Sequence, residues 1–288
     1  METKQIKFWD SYKSSEEASA AWDKKSNELK NKAPLKIGRM RFDLPGIRSS
    51  TRKNLRFKAM TYLMKHDKKR VFPKYFLKQP ITYGISMIQS YMKKKAYKRD
   101  GDFFLYGIES QGEFNDLLQD QNSVLAVGFS YCHKPFECPS ERFTEDCIHD
   151  AENPVCRQCF IGKCMNSLPD ERTVPMVIPT VHYIGEKMFE LTHQHPDKKI
   201  LFIITACELT LEMFADWGNM IKIRGLGVRL DGMICNTMKA FEASEEGVKP
   251  GLTVVLDDTE QQVLDLLTQR RNAVRTGSFR LMAGDSNE

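Results

Sequence analysis

Cysteine is the residue type in this sequence whose number and spacing point most directly to chemistry. Six of the eight cysteines of the 288-residue chain lie between residues 131 and 165: Cys132, Cys138, Cys147, Cys156, Cys159 and Cys164. The last three have the spacing C-x-x-C-x-x-x-x-C. Thiolates are soft ligands that suit zinc and iron–sulfur clusters, and a C-x-x-C turn brings two sulfurs to one centre. The stretch has no long apolar run and needs a covalent or metal staple to hold its shape, so it predicts a metal site.

The spacing favours an iron–sulfur cluster over zinc. Zinc sites often use two C-x-x-C pairs, or one pair with histidine, whereas this stretch has one pair and more cysteines than one zinc needs. Plant-type ferredoxins use the reverse spacing, and a Cys-Pro pair like Cys138-Pro139 occurs in bacterial ferredoxins. We therefore expect a cluster, 4Fe–4S, held by four of the six cysteines. Zinc, with His133 or His149 available, is the alternative, and free redox thiols are the third.

Two further cysteines follow apolar segments downstream. Cys207 comes directly after LFIITA and is followed by Glu208, and Cys235 ends the segment VRLDGMI. We interpret Cys207, Cys235 and Glu208 as candidate catalytic residues that line the metal site, with the cysteines acting as reactive thiolates or as extra ligands. The ordinary alternatives are small buried cysteines and a glutamate that stabilises the start of a helix through its dipole.

The elements that must position these side chains alternate between short apolar runs and amphipathic segments. The predicted strands are 124–129, 174–178, 201–206, 221–223, 228–234 and 253–256. The predicted helices are 180–193, a segment from 208 to about 217, and 259–271. Such alternation predicts an α/β fold with a mostly parallel, doubly wound sheet.

The parallel sheet predicts that cysteines far apart in the sequence lie close together in the fold. Sites in such sheets form beyond the carboxyl ends of the strands. Cys132, Cys207 and Cys235 each follow or end a predicted strand. We therefore expect all three to emerge at one edge of the sheet, where the six-cysteine stretch begins.

The N-terminal third differs in charge from the rest of the chain. Residues 1–100 hold 26 basic and 9 acidic side chains, a net +17, and the remainder is net −12. We predict a basic, mainly helical region over 1–100, an α/β domain over 101–276 with a cysteine-rich insertion at 131–165, and a disordered tail over 277–288. Predicted helices span about 14–30, 49–65 and 81–92. A basic arm of this kind binds nucleic acid, binds an anionic membrane or protein surface, or folds back on its own acidic domain.

The composition excludes some classes of protein. With 41% apolar and 28% charged residues, the chain resembles a soluble globular protein, and no apolar run approaches the roughly 18 residues of a membrane span. The N-terminus lacks the apolar core of a signal peptide, so we expect a cytoplasmic protein with reduced thiols. A P-loop, a dinucleotide fingerprint and a G-x-S-x-G elbow are missing from the sequence, which argues against ordinary nucleotide hydrolysis and esterase chemistry.

Several motifs resemble the prokaryotic cysteine-rich domain of unknown function family numbered one hundred and sixteen. The resemblance covers about residues 123–257 and rests on four elements: Cys132 with Cys138-Pro139, Cys156-Arg-Gln-Cys159-Phe-Ile-Gly, Ala206-Cys207-Glu208, and Cys235-Asn236-Thr237. It implies a cytosolic metal-binding α/β domain that holds an iron–sulfur cluster, without an established reaction. Three features depart from the family pattern: Cys235 directly precedes Asn236, Cys147 and Cys164 are additions, and residues 1–100 do not match the membrane-spanning segments of many members.

These features together favour an iron–sulfur protein in redox or sulfur-transfer chemistry. As an enzyme it would be an oxidoreductase or a transferase that acts with a redox partner or a small-molecule substrate. A cluster with an open iron could bind a substrate, and a fully ligated one would pass electrons. The alternative is a zinc-stapled protein that binds nucleic acid through its basic N-terminal region.

Overall fold

The computed structural model describes residues 47–93, 95–232, 234–249, 251 and 253–284, together with Ala20 and Lys24, and it describes side chains as far as residue 276. The helix predicted over 14–30 lies outside the described residues except at those two isolated positions. None of the helices in these ranges is long and apolar enough to cross a membrane.

From residue 47 onward, four helices precede the sheet. They are α1 (Ser49–Arg52), α2 (Leu55–His66), α3 (Val71–Phe76) and α4 (Pro80–Met92). The helix predicted over 49–65 is therefore divided in two. The division lies at Lys53 and Asn54, and Asn54 has a left-handed backbone with φ of 57°, which cannot continue a right-handed helix.

The sheet has six strands in the spatial order β1-β2-β6-β5-β3-β4. The strands are β1 (Lys98–Asp100), β2 (Phe103–Tyr106), β3 (Ser123–Ser130), β4 (Thr173–Ile178), β5 (Lys199–Ala206) and β6 (Arg224–Arg229). The last four are parallel to one another, and β1 and β2 add an antiparallel edge beside β6. The predicted α/β class with a mostly parallel sheet is confirmed.

Helices cover both faces of the sheet. They are α5 (Gln111–Gln119), α6 (Pro154–Gln158), α7 (Phe160–Ser167), α8 (Val181–Gln194), α9 (Glu208–Met220), α10 (Met238–Glu245) and α11 (Asp257–Gly284). Alternate strand residues enter two separate cores: Leu201 and Ile203 of β5 face one side with α5 and α11, whereas Phe202 and Ile204 face the other with α8 and α9. This period of two is the signature of a strand buried on both faces.

Four sequence predictions need correction. The segment 221–223 is not a strand, because β6 begins at Arg224 and takes in Gly225 and Gly227; the segment 228–234 covers only the end of β6 and a two-residue strand, Asp231–Gly232. The run 253–256 does not join the main sheet; Thr253–Val254 forms β8, which pairs antiparallel with β7 (Asp231–Gly232). Strands β1 and β2 were not predicted, and β1 lies inside the region assigned to helices. The helix predicted over 259–271 extends to Gly284, past the expected start of the disordered tail.

The described part of the basic region pairs with the acidic body through α9. Arg56 donates from Nε to Asp216 at 2.6 Å and from its terminal nitrogens to the Asp216 carboxylate and the Ser90 carbonyl. Arg52 and Arg99 both reach Glu208, at 2.7 and 3.2 Å. In the described part of the basic region, these arginines therefore hold the region against the acidic domain.

Replacing Arg56 by methionine is expected to lower the free energy of unfolding by about 2–3 kcal/mol, because Asp216 is 8% exposed and would lose its main counter-charge. Urea denaturation monitored by circular dichroism measures the change. Lys69→Met is the matched control: Lys69 is exposed and pairs with Glu186 at 3.3 Å, so it should change stability by less than about 0.5 kcal/mol. Equal effects of the two substitutions would contradict the assignment of Arg56 as the pin between the two regions.

Helix α4 exposes the face that its sequence pattern marks as apolar. Ile81, Ile85, Ile88 and Met92 have exposed side chains, whereas Tyr83, Ser86 and Ser90 are buried. The buried face packs against α9, where Ser90 donates to Asp216 at 2.7 Å. The apolar stripe therefore does not pack on the described part of the molecule, contrary to the usual behaviour of such a helix.

Candidate metal centre

The cysteine-rich stretch leaves the sheet at the carboxyl end of β3. A short 3-10 turn, Tyr131–His133, leads into a loop that runs as far as α6. Lys134 is fully buried within this loop and donates to the main-chain oxygens of Glu141, Thr144 and Asp146 at 2.9, 3.2 and 2.6 Å, and to the Thr144 hydroxyl at 2.8 Å. The hydrogen bonds of this one ammonium group thus hold the loop together, because the loop has no apolar core of its own.

Arg142 ties the same loop to the rest of the fold. Its guanidinium donates to the carbonyl of Lys134 at 2.8 Å, to that of Lys249 at 2.6 Å and to that of Gly251. A further bond reaches the carbonyl of Cys132 at 3.3 Å. The fork geometry of arginine suits this role, since five N–H groups in one plane can satisfy several carbonyls at once.

The C-x-x-C pair lies at the junction of two short helices. Asn153 caps α6 by accepting from the amides of Val155 and Cys156 at 2.9 and 3.2 Å. Cys159 ends α6 and is also the N-cap residue of α7. Its side chain makes no capping hydrogen bond, but the nearby N–H groups of Ile161 and Gly162 act to lower its pKa. Such amides stabilise a thiolate.

Four cysteines from three parts of the stretch line one small pocket. They are Cys138, Cys147, Cys156 and Cys159, and Lys134 lines the same pocket. We call this group the cysteine pocket. Among the described residues, no group of three or more His, Cys, Asp or Glu side chains is arranged to hold a metal ion. The four sulfurs share a pocket, but they do not meet at one point.

Burial favours the protonated form of three of these thiols, those of Cys147, Cys156 and Cys159. It raises the pKa of Cys159 to about 12 and also raises the pKa values of Cys147 and Cys156. A buried thiol of this kind is a poor nucleophile at neutral pH. Thiolates form when a metal displaces the protons, so the chemistry of the donor set fits a soft metal centre better than it fits free redox thiols.

The other side chains proposed as ligands in this stretch lie elsewhere. Cys164 is fully buried in the apolar core, where α7 packs on α11, and burial raises its pKa well above the usual value. His149 is exposed, and His133 packs its ring on Phe160 with its pKa lowered to about 3 by burial. Neither the histidines nor Cys164 line the cysteine pocket.

A second group of cysteines lies at the carboxyl edge of the sheet. Cys132, Cys207 and Cys235 line a small cavity of about 40 Å³, together with residues that follow β3, β4 and β5. We call this space the thiol cavity. The predicted convergence of these three cysteines at one sheet edge is what the structure shows, but the structure gives them a cavity separate from the cysteine pocket.

Lys249 contacts Cys235 of the thiol cavity, and the sequence did not predict this contact. Its ammonium group donates to the sulfur of Cys235 at 3.1 Å, and the sulfur of Cys207 contacts the hydroxyl of Thr210 at 3.2 Å. A hydrogen bond from Cys207 and the charge of Lys249 lower the pKa of Cys235 to about 5. The neighbouring Cys235 and burial raise the pKa of Cys207 well above its usual value.

Glu208, the third predicted catalytic residue, does not line the thiol cavity. It is buried in the first turn of α9, and its carboxylate pairs with Arg52 and Arg99. This position gives it a structural role at the helix N-terminus and at the contact with the basic region.

A wide groove of about 630 Å³ adjoins the thiol cavity. The two share Pro179, Thr180 and Glu245 in their walls. The carboxylate of Glu245 accepts from the amide of Val181 at 2.8 Å, and burial raises its pKa to about 8. The groove thus adjoins the thiol cavity at this wall, and Glu245 lies between them.

The family resemblance rests on the cysteine motifs alone. The elements that carry it divide between the two sites: Cys138, Cys156 and Cys159 belong to the cysteine pocket, and Cys207 and Cys235 to the thiol cavity. Comparison of the chain with protein-family models, with curated proteins and with solved structures finds no match.

Proposed function

We propose that the protein is an iron–sulfur redox protein whose cluster is held by Cys138, Cys147, Cys156 and Cys159. The observation that carries the proposal is the lining of one pocket by these four thiols, drawn from three separate parts of the stretch. Four thiolates are the usual ligand set of a 4Fe–4S cluster. The resemblance to the prokaryotic cysteine-rich family agrees with this assignment.

The preference for a cluster over zinc comes from the cysteine spacing, which has one C-x-x-C pair where zinc sites often use two. A zinc site needs all four sulfurs about 2.3 Å from a single atom, and among the described residues no group of three or more His, Cys, Asp or Glu side chains is arranged to hold a metal ion.

Four protein thiolates leave no iron open, so electron transfer is the chemistry that a bound cluster would supply here. The residues around the pocket serve that role. Lys134 places a buried positive charge beside the thiolates of Cys138, Cys147 and Cys159. The amides of Ile161 and Gly162 point at Cys159. Cation and amides both stabilise the negative charge that the thiolates bring.

Metal and acid-labile sulfide analysis of protein purified without oxygen tests the proposal, together with a visible spectrum. We expect iron and sulfide in equal amounts and a broad band near roughly 400 nm, typical of cysteine-ligated clusters. Cys156→Ser and Cys159→Ser should each remove the iron, the sulfide and the band. Cys164→Ala is the matched control, since Cys164 lies in the same stretch but faces the core, and it should keep all three.

Two results would overturn the assignment. Unchanged iron and sulfide in Cys156→Ser and Cys159→Ser would show that the cluster lies elsewhere. Loss of the cluster in Cys164→Ala, with the fold intact by circular dichroism, would show that the ligand set is wrong.

Zinc is the second candidate, and the size of the pocket favours it. The cysteine pocket has a free volume of about 10 Å³, which is roughly the space of one water molecule. Zinc without sulfide in the same assay would make the stretch a structural staple. The basic N-terminal region would then be the first place to seek a nucleic acid or another anionic partner, by binding measurements across a range of salt concentrations.

A further inference from the structure

The burial of Lys249 is the observation that points to a second activity. Its side chain is 1% exposed, and a buried ammonium group requires a counter-charge. Within the described part of the chain it forms no ion pair with a carboxylate, and its hydrogen-bond partner is the sulfur of Cys235 at 3.1 Å. Burial works against its charge, yet the sulfurs of Cys235, Cys132 and Cys207 raise its pKa. The counter-charge of Lys249 is therefore the Cys235 thiolate.

Cys207 provides a second sulfur at the reacting position. Cys207 and Cys235 line the same small cavity, although they are separated by 27 intervening residues in the sequence. A cysteine bonded to a lysine, with a second cysteine in the same cavity, is the arrangement of a nucleophilic cysteine with its resolving cysteine.

The thiol cavity has room only for a very small molecule. Its volume of about 40 Å³ leaves room for only a few heavy atoms. The hydroxyl of Thr253 lines it and is fully buried, and it has no hydrogen-bond partner among the described residues. A buried hydroxyl without a partner is costly, so this group is free to bind a small ligand beside the two sulfurs.

We propose that Cys235 and Cys207 form a two-electron dithiol–disulfide couple that is oxidised by small hydroperoxides, such as hydrogen peroxide, bound in the thiol cavity. The proposal is independent of the metal centre, because none of the four residues of the cysteine pocket lines this cavity. The adjoining groove offers the route by which the oxidant reaches the sulfurs.

The reaction proceeds in two balanced steps. The Cys235 thiolate attacks one peroxide oxygen; an S–O bond forms, the O–O bond breaks, and the departing oxygen takes a proton to leave as water or an alcohol. Cys235 is then a sulfenic acid. The sulfur of Cys207 attacks it, an S–S bond forms, and the thiol proton of Cys207 leaves with the hydroxyl group as water. A small thiol reductant restores the pair by exchange, and is itself oxidised to a disulfide.

The test uses the full-length protein, pre-reduced and then treated with one equivalent of hydrogen peroxide. After alkylation of the remaining thiols and proteolysis, mass spectrometry should find a peptide pair linked through Cys207 and Cys235. In Cys207→Ser, the sulfenic acid of Cys235 should persist and give a dimedone adduct. Cys235→Ser should give neither the linked peptides nor an adduct.

Two further variants test the roles of the neighbours. Lys249→Met should slow disulfide formation at neutral pH by about tenfold or more, because the thiolate loses the cation that holds its charge; Lys249→Arg, which keeps the charge, should restore most of the rate. Cys164→Ala is the matched control, since Cys164 lies in the apolar core and lines neither the thiol cavity nor the cysteine pocket, and it should still form the disulfide.

Three results would overturn the proposal. They are a wild-type protein that forms no Cys207–Cys235 disulfide, a disulfide that Cys164→Ala abolishes, and a rate that Lys249→Met and Lys249→Arg leave unchanged. Cys156→Ser should form the disulfide normally, and Cys207→Ser should keep the wild-type content of iron or zinc. A failure of this couple is thereby distinguishable from a failure of the proposed metal centre.

Discussion

Replacing Lys134 by methionine is expected to lower the free energy of unfolding by about 3 kcal/mol or more and to empty the cysteine pocket of metal. The substitution removes a buried ammonium group and leaves the carbonyls of Glu141, Thr144 and Asp146 without their donor. Each charge-assisted hydrogen bond of this kind contributes roughly 1.5–3 kcal/mol. The loop that these carbonyls belong to connects Cys138 to Cys147, so both ligands lose their fixed positions. Urea denaturation and metal analysis of the same preparation measure the two effects.

Lys163→Met is the matched control for this prediction. Lys163 lies in the same cysteine-rich stretch, but its ammonium group is partly exposed and pairs with Glu260 at 2.8 Å. Such a pair contributes less than about 1 kcal/mol, so the control should keep its metal and nearly all of its stability. If Lys134→Met behaves like Lys163→Met, the loop does not depend on the buried cation.

A short segment of the chain links the two cysteine sites. Cys132 faces the thiol cavity, and Lys134, two residues later, faces the cysteine pocket. Arg142 lines neither site, but its guanidinium donates to the carbonyls of Cys132, Lys134 and Lys249. Displacement of this short segment would therefore reach both sites, which gives a physical route for binding at one to affect the other.

The strands that bear the thiol cavity could be predicted because they are continuous apolar runs. LFIITA and VLAVGF are buried on both faces, and a run of this kind marks a central parallel strand. The weaker strands were misplaced for an equally physical reason. Strand β6 contains Gly225 and Gly227, and a side chain at Gly225 would lie 2.0 Å from the carbonyl oxygen of Phe202. The two backbones approach so closely that glycine is required, and glycine is the residue type that made this segment look unlike a strand.

The N-terminal boundary was placed from charge, and charge does not determine packing. The basic segment Lys98–Asp100 continues into Phe103–Tyr106, which is fully buried beside β6. The strand β1 has three exposed residues and no apolar pattern, so periodicity contains no signal for it. It is held by its pairing with β2 and by the ion pair of Arg99 with Glu208.

Convergence at the sheet edge could be predicted, whereas the division of the ligands could not. The positions of Cys132, Cys207 and Cys235 follow from the strand ends and the parallel order. The division between Cys138, Cys147, Cys156 and Cys159 on one side and Cys164 on the other depends on the direction of α7, whose inner face places Cys164 in the core. Lys249 gave no signal at all, because a lysine in a polar segment is ordinarily exposed.

Replacing Gly162 by alanine is expected to remove the metal and to lower the free energy of unfolding by about 3 kcal/mol. An added methyl group would lie 2.1 Å from the carbonyl oxygen of Cys156, a distance that no side-chain rotation can relieve. Either α6 and α7 must separate, which moves Cys156 and Cys159 apart, or the helix turn that aims its amides at Cys159 must distort. Overpacking against a rigid neighbour typically costs about 1–3 kcal/mol, and more where the backbone must move.

Gly84→Ala provides the comparison that isolates this contact. Gly84 lies within α4, and an added methyl group there meets no atom within 4 Å. Because alanine favours a helix over glycine by up to about 1 kcal/mol, this variant should be as stable as the wild type or more so, and should retain its metal. The two proteins would be compared by urea midpoint and by metal content. If Gly162→Ala keeps both at the level of Gly84→Ala, then the close packing of α6 on α7 does not set the positions of the C-x-x-C sulfurs, and the ligand assignment that depends on that packing loses its structural basis.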